Sequence, residues 1–297
     1  MTKILQEIKM GKILVSDGGW GTFLHQKGLK PGECPEEWNK SHSNEVFEIA
    51  KSYIDAGADM IETNSFGASR FKLAHYGFED SVFDFNKTAA EISRKAAGTN
   101  HFVLGSIGPT GKMLIMEDVT KEELYEAFKE QAMALEAGGV DAIMIETMTD
   151  LDEARIAIKA ANDNTKCEVF CTMTFDKIIG GDYRTMMGIS PTEMATDLVE
   201  AGASAIGTNC GNGITDMIDI VKEIRLVNHT IPIIIHANAG APLYQDGATV
   251  FPDTPDDMAG EINEIVKAGA NIIGGCCGTT PEHIRSVREV VGNLNIK

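Results

Sequence analysis

Four stretches of this chain repeat one pattern. They are AGADMIETN (Ala56–Asn64), AGGVDAIMIET (Ala137–Thr147), AGASAIGTNC (Ala201–Cys210) and AGANIIGGCC (Ala268–Cys277). Each has an Ala-Gly pair, one or two small or polar residues, a short apolar run and a polar end. The pattern predicts a helix stopped at a glycine, a tight turn, and a buried parallel strand running to a polar tip. Consecutive copies are separated by the length of two βα units. Strands expected at Ile13–Ser16, Phe102–Ser106, Glu168–Met173 and Pro232–Ala237 fill the gaps. Helical patterns such as Lys121–Ala137 and Pro191–Ala201 lie between them. Thr120, Ser190 and Thr280 stand where helix caps are expected. Eight strands alternating with eight helices predict an α/β fold, a single (β/α)8 TIM barrel spanning residues 1–297. A doubly wound open sheet is the alternative. It is disfavoured because DGGWGT, after the first strand, does not match GxGxxG.

Composition narrows the partners. The net charge of −18 repels phosphate backbones and anionic lipid surfaces, so neither nucleic acid nor membrane is expected. The N-terminal MTKILQEIKMGKILVSDGG has no apolar stretch of signal-peptide length, and no segment is long enough to span a bilayer. The expected location is cytoplasmic. There the six cysteines are not a disulfide framework but buried residues, nucleophiles or metal ligands.

Barrel active sites lie at the C-terminal ends of the strands. The polar strand tips here carry Asp17, Glu62-Thr63-Asn64, Gly108-Pro109-Thr110, Glu146-Thr147, Thr174, Thr208-Asn209-Cys210, Asn238 and Cys276-Cys277. Cys210 at the sixth tip and the Cys276–Cys277 pair at the eighth can therefore meet over one pocket. A vicinal disulfide, packed thiols and metal ligation all compete to explain the pair; ligation alone accounts for all three positions. Soft thiolates select zinc, copper(I) or iron–sulfur chemistry. Three protein ligands with an open fourth position form the catalytic zinc pattern. A Cys₃ zinc site is a poor activator of water, but it can bind and deprotonate a substrate thiol. The reaction this points to is thiol alkylation, because the thiolate is the nucleophile.

Seven ordered blocks, DGGWGT, IETNSFGAS, GSIGPTGKM, MIETMTDLDEA, GTNCGNG, NAGAP and GGCCGTTPEHI, cover essentially the whole chain. In them the sequence resembles the zinc-dependent homocysteine S-methyltransferase family, and most of all the homocysteine-binding barrel of cobalamin-dependent methionine synthase. The resemblance implies a (β/α)8 barrel that methylates homocysteine, or another small thiol, with Cys210, Cys276 and Cys277 as zinc ligands. It implies Asn238 as a fourth ligand while substrate is absent. Asp17 and Glu146 would be partners of the substrate amino group, and Gly18 and Gly19 would donate N–H groups to its carboxylate. Thr63 and Asn64 would line the pocket. The implied donor is methylcobalamin on a separate corrinoid protein, with betaine, S-methylmethionine and S-adenosylmethionine as alternatives.

The sequence departs from that family in two ways. It stops at Lys297, where multidomain methionine synthases continue, so the donor is expected on another molecule unless the chain is a fragment. YRTMMGIS (Tyr183–Ser190) replaces a Gly/Thr-rich stretch and is expected to shape the donor face or the thiol specificity. A Schiff-base aldolase would need a lysine at a strand tip, but Lys112 and Lys177 fall in loops. A non-catalytic zinc or docking module would lack carboxylates such as Asp17 and Glu146.

Overall fold

In the computed structural model, which describes residues 3–245 and 247–296, eight parallel strands form the barrel. They are β1 (Leu14–Val15), β2 (Met60–Glu62), β3 (Phe102–Ile107), β4 (Ala142–Met148), β5 (Glu168–Met173), β6 (Ala205–Gly213), β7 (Ile233–Asn238) and β8 (Ile272–Gly275). The hydrogen-bonded order is β1-β8-β7-β6-β5-β4-β3-β2. The seam between β1 and β2 is bridged by single bonds. Asp59 N–H donates to the Val15 carbonyl at 2.7 Å, and Val15 N–H to Asp59 Oδ2 at 2.8 Å. Higher up, Glu62 N–H donates to Asp17 Oδ2 at 2.8 Å.

The repeated Ala-Gly signature has a common physical basis. Gly57, Gly139, Gly202 and Gly269 all have φ between 94° and 117°, a region that only glycine enters at low cost. The residue two places on, Asp59, Asp141, Ser204 or Asn271, donates its N–H to a neighbouring strand. In three of the four, its side chain also accepts a strand N–H and meets an arginine. Asp59 holds Val15 N–H and Arg288, Asp141 holds Val103 N–H and Arg94, and Asn271 holds Ile233 N–H and Arg225. In three of its four copies the repeat is thus a staple that starts a strand in register at the N-terminal end of the barrel.

Alternation along the strands divides the lumen. Leu14, Met60, Leu104, Ala142, Met144, Phe170, Ala205, Ile234 and Ile272 form one buried cluster, with Ile4 of the N-terminal helix Lys3–Lys9 packed in the same cluster. Two residues further on, the same strand faces carry polar groups: Glu62, Ser106, Glu146, Thr172 and His236. The lower lumen is solid apolar packing and the upper lumen is polar. The much larger second core lies between strands and helices.

The helix expected at Lys121–Ala137 forms over those residues and the one expected at Pro191–Ala201 ends at Glu200; they begin with capping boxes on Thr120 and Ser190. Thr280 also caps its helix, Pro281–Asn295, with His283 as the reciprocal partner. Strand limits shift slightly: β1 is shorter than Ile13–Ser16, and β7 runs one residue past Ala237. Two hairpins escape the sequence pattern. One pairs Asp176–Lys177 with Tyr183–Arg184, and the other pairs Leu243–Gln245 with Ala248–Val250. The first takes in the start of YRTMMGIS, where Tyr183 is buried and donates its hydroxyl to Asp216 at 2.7 Å.

The staples make a stability prediction. D141A strands the Val103 N–H and the Arg94 guanidinium, and is expected to cost about 1–3 kcal/mol in denaturant unfolding. D141N keeps an acceptor, as Asn271 does natively, and is expected to cost less than half as much.

Candidate active site

Cys210 reaches the barrel mouth because β6 is irregular. Its pairing with β7 shifts between Asn209 and Gly213, and Cys210 has φ 60°. A matching irregularity in β4, between Ile145 and Met148, puts Thr147 at φ 60°. Left-handed backbone at a non-glycine residue costs about 1–3 kcal/mol and needs support from its surroundings. Here each irregular strand supports the other. Thr147 N–H donates to Asn209 Oδ1 at 2.8 Å, and Asn209 Nδ2 donates to Thr147 Oγ1 at 2.7 Å.

The other two thiols follow β8 in a tight glycine-rich turn. Cys276 N–H donates to the Ala237 carbonyl at 2.7 Å, and Ala239 N–H to the Cys277 carbonyl at 3.0 Å. Thr279 donates its hydroxyl to the Cys276 carbonyl at 2.7 Å and accepts Gly19 N–H at 3.0 Å. Glycine is required where these segments touch. A Cβ on Gly19 would lie 2.6 Å from the Cys276 carbonyl oxygen, and one on Gly275 would lie 2.2 Å from Thr279 Oγ1.

As a result the sulfurs of Cys210, Cys276 and Cys277 all lie within 4.8 Å of one another, with Cys210 and Cys277 at 4.0 Å. Sulfurs bound tetrahedrally at about 2.3 Å from zinc are roughly 3.8 Å apart. Without a metal the three thiols share protons. Thiol hydrogen bonds from Cys276 and Cys277 hold Cys210 far below the usual thiol range, while the same sharing pushes Cys276 and Cys277 up. A soft divalent cation can replace those protons. Beside them, Asn238 is buried and its Oδ1 lacks a hydrogen-bond partner. Its amide also helps to hold Cys210 low, adding to the neighbouring thiols and the Gly211 N–H against burial, which pushes it up. Amide oxygen and nitrogen exchange by a flip, so three sulfurs and one amide oxygen fit a tetrahedral ion.

The three cysteines border a cavity of about 340 Å³. Its walls include Gly18, Gly19, Trp20, Glu36, Thr63, Asn64, Glu146 and the three cysteines. Asp17 and Asn238 are not on its surface. Asp17 is 1% exposed and lies behind the wall, where its Oδ2 accepts Trp20 Nε1–H at 2.7 Å and the Glu62 N–H. Glu146 accepts the Ser106 hydroxyl on Oε1 and Asn209 Nδ2–H at 3.3 Å on Oε2. Thr63 accepts Ser106 N–H at 3.0 Å, and Asn64 donates to the Pro35 carbonyl at 2.8 Å. Both therefore shape the wall through bonds to neighbouring segments.

Two wall residues were missed in the sequence, Glu62 and His236. Glu62 stands among the strand tips without a motif that marks a role for it. The available signal was the period of two: Glu62 shares a face with Met60, and His236 shares one with Ile234 and Asn238. Burial pushes Glu62 up to about 8; burial and then the Glu62 charge push Asp17 up to about 7. Burial followed by the Glu62 charge also holds Glu146 well above the usual range, and burial lowers His236.

The homocysteine S-methyltransferase profile matches residues 14–291. The chain belongs to the homocysteine S-methyltransferase family. It is 30% identical over 304 residues to the methionine synthase of Mycobacterium tuberculosis, and 30% identical over 305 residues to that of Mycobacterium leprae. Each match covers 98% of this chain and 25% of the relative, so the chain spans about a quarter of their length. Among solved structures, the metallated form of the Escherichia coli homocysteine methyltransferase MmuM superposes with a TM-score of 0.78. That match covers 97% of this chain and 99% of that one, at 20% identity, and shows the shared barrel. The carboxyl transferase domain of Rhizobium etli pyruvate carboxylase matches at a TM-score of 0.52 and 14% identity, again a likeness of fold.

The raised carboxyl at Glu62 has a pH consequence. A folded-state value above the unfolded one stabilises the fold fully below about pH 4.5, and that stabilisation is lost as pH rises through about 8. Glutamine carries no such dependence. In metal-free, substrate-free protein, the stability of wild type relative to E62Q is expected to fall between pH 5 and pH 9, by a few kcal/mol on the order-of-magnitude scale. Melting temperatures of both proteins across that range measure it; a constant difference would contradict the buried, protonated carboxyl.

Proposed function

We propose that the protein is a zinc-dependent methyltransferase that moves a methyl group onto the sulfur of homocysteine to give methionine. The observation that carries this reading is the convergence of three thiols at one edge of a cavity whose floor is acidic. Cys210, Cys276 and Cys277 would hold the zinc, with Asn238 completing the site while substrate is absent. When bound there, zinc supplies the Lewis acidity that keeps a substrate thiol as thiolate near neutral pH.

The chain's own groups do the rest by positioning. Glu146 on the wall and Asp17 behind it supply the negative field for the substrate ammonium. Gly18, at the entrance to the helix Trp20–Lys27, would offer its backbone N–H toward the substrate carboxylate, while Gly19, whose N–H is held by Thr279 Oγ1, shapes the turn beside it. Thr63 and Asn64 fix the β2 side of the wall. The thiolate is then left facing the mouth, where the methyl group arrives.

The donor is methylcobalamin on a separate corrinoid protein. The resemblance of the seven sequence blocks to the homocysteine-binding barrel of cobalamin-dependent methionine synthase supports methylcobalamin as the donor, and the rim supports a large partner. Phe66, Ile115, Met116, Ile179, Met186 and Tyr244 are exposed on segments following β2, β3, β5 and β7, an apolar collar suited to a large partner. Met186 belongs to YRTMMGIS, which puts part of that stretch on the donor side. No helix among the described residues is long and apolar enough to cross a membrane. A reducing cytoplasm suits a site built on free thiols.

C276A is expected to lose bound zinc and to lower methyl transfer to homocysteine by at least about 100-fold, since even changes outside the ligand shell act on that scale. Metal analysis and a transfer assay with methylcobalamin, betaine, S-methylmethionine and S-adenosylmethionine in parallel check this. Full activity in a zinc-free C276A protein would overturn the reading, and transfer from a donor other than methylcobalamin would overturn the donor assignment.

A further inference from the structure

The carboxyls around the cavity differ in what their oxygens already hold. Asp17 Oδ2 has two donors, Trp20 Nε1–H and Glu62 N–H, and Ser16 stands 3.3 Å from Oδ1. Both Glu146 oxygens have donors, Ser106 and Asn209. Glu36 accepts Gly67 N–H at 2.6 Å and the Cys34 thiol at 3.4 Å. Glu62 is different. It lines the cavity at 8% exposure, and its buried Oε1 has no hydrogen-bond partner. His236 Nδ1 lies 3.3 Å from that oxygen. His236 also lines the cavity, at 2% exposure, and its Nε2 has no partner either.

A buried carboxyl oxygen without a donor is costly, and the cost is relieved when a ligand brings one. The cavity lining contains no lysine or arginine to serve. A cationic N–H donor small enough to sit among Glu62, Glu146 and the sulfurs meets the need. An α-ammonium carried by the substrate thiol is such a donor.

We propose that Glu62 is the specificity-determining residue for the amino group of the substrate thiol, with His236 as the positioning residue that holds its carboxyl. The inference rests on the thiol methyltransferase reading. It divides the work among the acids. Glu62 takes an N–H of the ammonium directly on Oε1, and Glu146 takes a second on an oxygen that retains a lone pair. Asp17, with its bonds spent on Trp20 and the β2 backbone, acts by holding Glu62 in place across the β1–β2 seam. His236 is itself set by β8: Gly274 leaves room for the ring, since a Cβ there would lie 2.7 Å from His236 Cδ2.

The test is calorimetric titration of the zinc-loaded protein with L-homocysteine and with 4-mercaptobutanoate, the same thiol acid lacking the amino group. Wild type is expected to bind homocysteine about 10–100-fold more tightly than the analogue, the scale of a buried charge-assisted hydrogen bond. E62Q is expected to lose that preference by weakening homocysteine alone, with zinc content and 4-mercaptobutanoate affinity unchanged. E62D is expected to fall between the two, and carries the comparison if E62Q does not fold. Unchanged homocysteine affinity in E62Q would overturn the proposal, and so would equal weakening of both thiols. Wild type that binds neither thiol would overturn the methyltransferase reading beneath it.

Discussion

Acid groups buried with almost no bases are the constraint around which the mouth of this barrel is built. Three thiols and four carboxyls, Asp17, Glu36, Glu62 and Glu146, surround or underlie one cavity. Among the described residues, His236 is the one ionisable base on its lining. Such a set cannot all ionise in a low-dielectric setting, and the raised carboxyls and the proton sharing among the sulfurs are two expressions of that. The arrangement is relieved by cations. A metal ion suits the thiols and an ammonium suits the carboxyls, so an amino thiol bridging the two would satisfy both halves of the site at once. The shape of the site and the class of substrate proposed for it answer one electrostatic requirement.

The scaffold meets this requirement by separating two jobs along each strand. Below, Met60, Phe170 and Ile234 pack a dry lumen; two residues further up, the same faces turn polar. The staples made by Asp59, Asp141 and Asn271 fix strand register at the bottom. Register matters because a one-residue slip would turn every acid out of the lumen. The irregularities at Thr147 and Cys210 then re-aim the tips of β4 and β6.

Much of this was legible in the sequence. The four Ala-Gly repeats carried the barrel, because the glycine, the staple residue and the apolar run each answer a local requirement. Cys210, Cys276 and Cys277 were legible because strand tips in such a barrel must meet, however distant they are in sequence. Glu146, Thr63, Asn64, Gly18 and Gly19 fall on the cavity wall as the tip positions imply. What was not legible depended on side-chain direction. Asp17 sits at a strand tip, but its carboxyl turns sideways into the β1–β2 seam, a consequence of how the barrel closes. Glu62 and His236 lie inside short apolar runs, MIE and IIIHA, where neighbours mask their alternation. The hairpins after β5 and β7 are pairings of only two or three residues with little local signal. The family resemblance named the chemistry; the packing shows which acid has an oxygen to spare.

The claim on which the rest stands is that three cysteines hold one zinc ion with a position open to a substrate thiol. X-ray absorption at the zinc edge tests it most directly, on zinc-loaded protein before and after addition of homocysteine. Three sulfur neighbours at about 2.3 Å with one lighter atom, rising to four sulfurs with homocysteine, is the expected result. Fewer than three sulfurs in the starting protein, or a sulfur count unmoved by homocysteine, would contradict it.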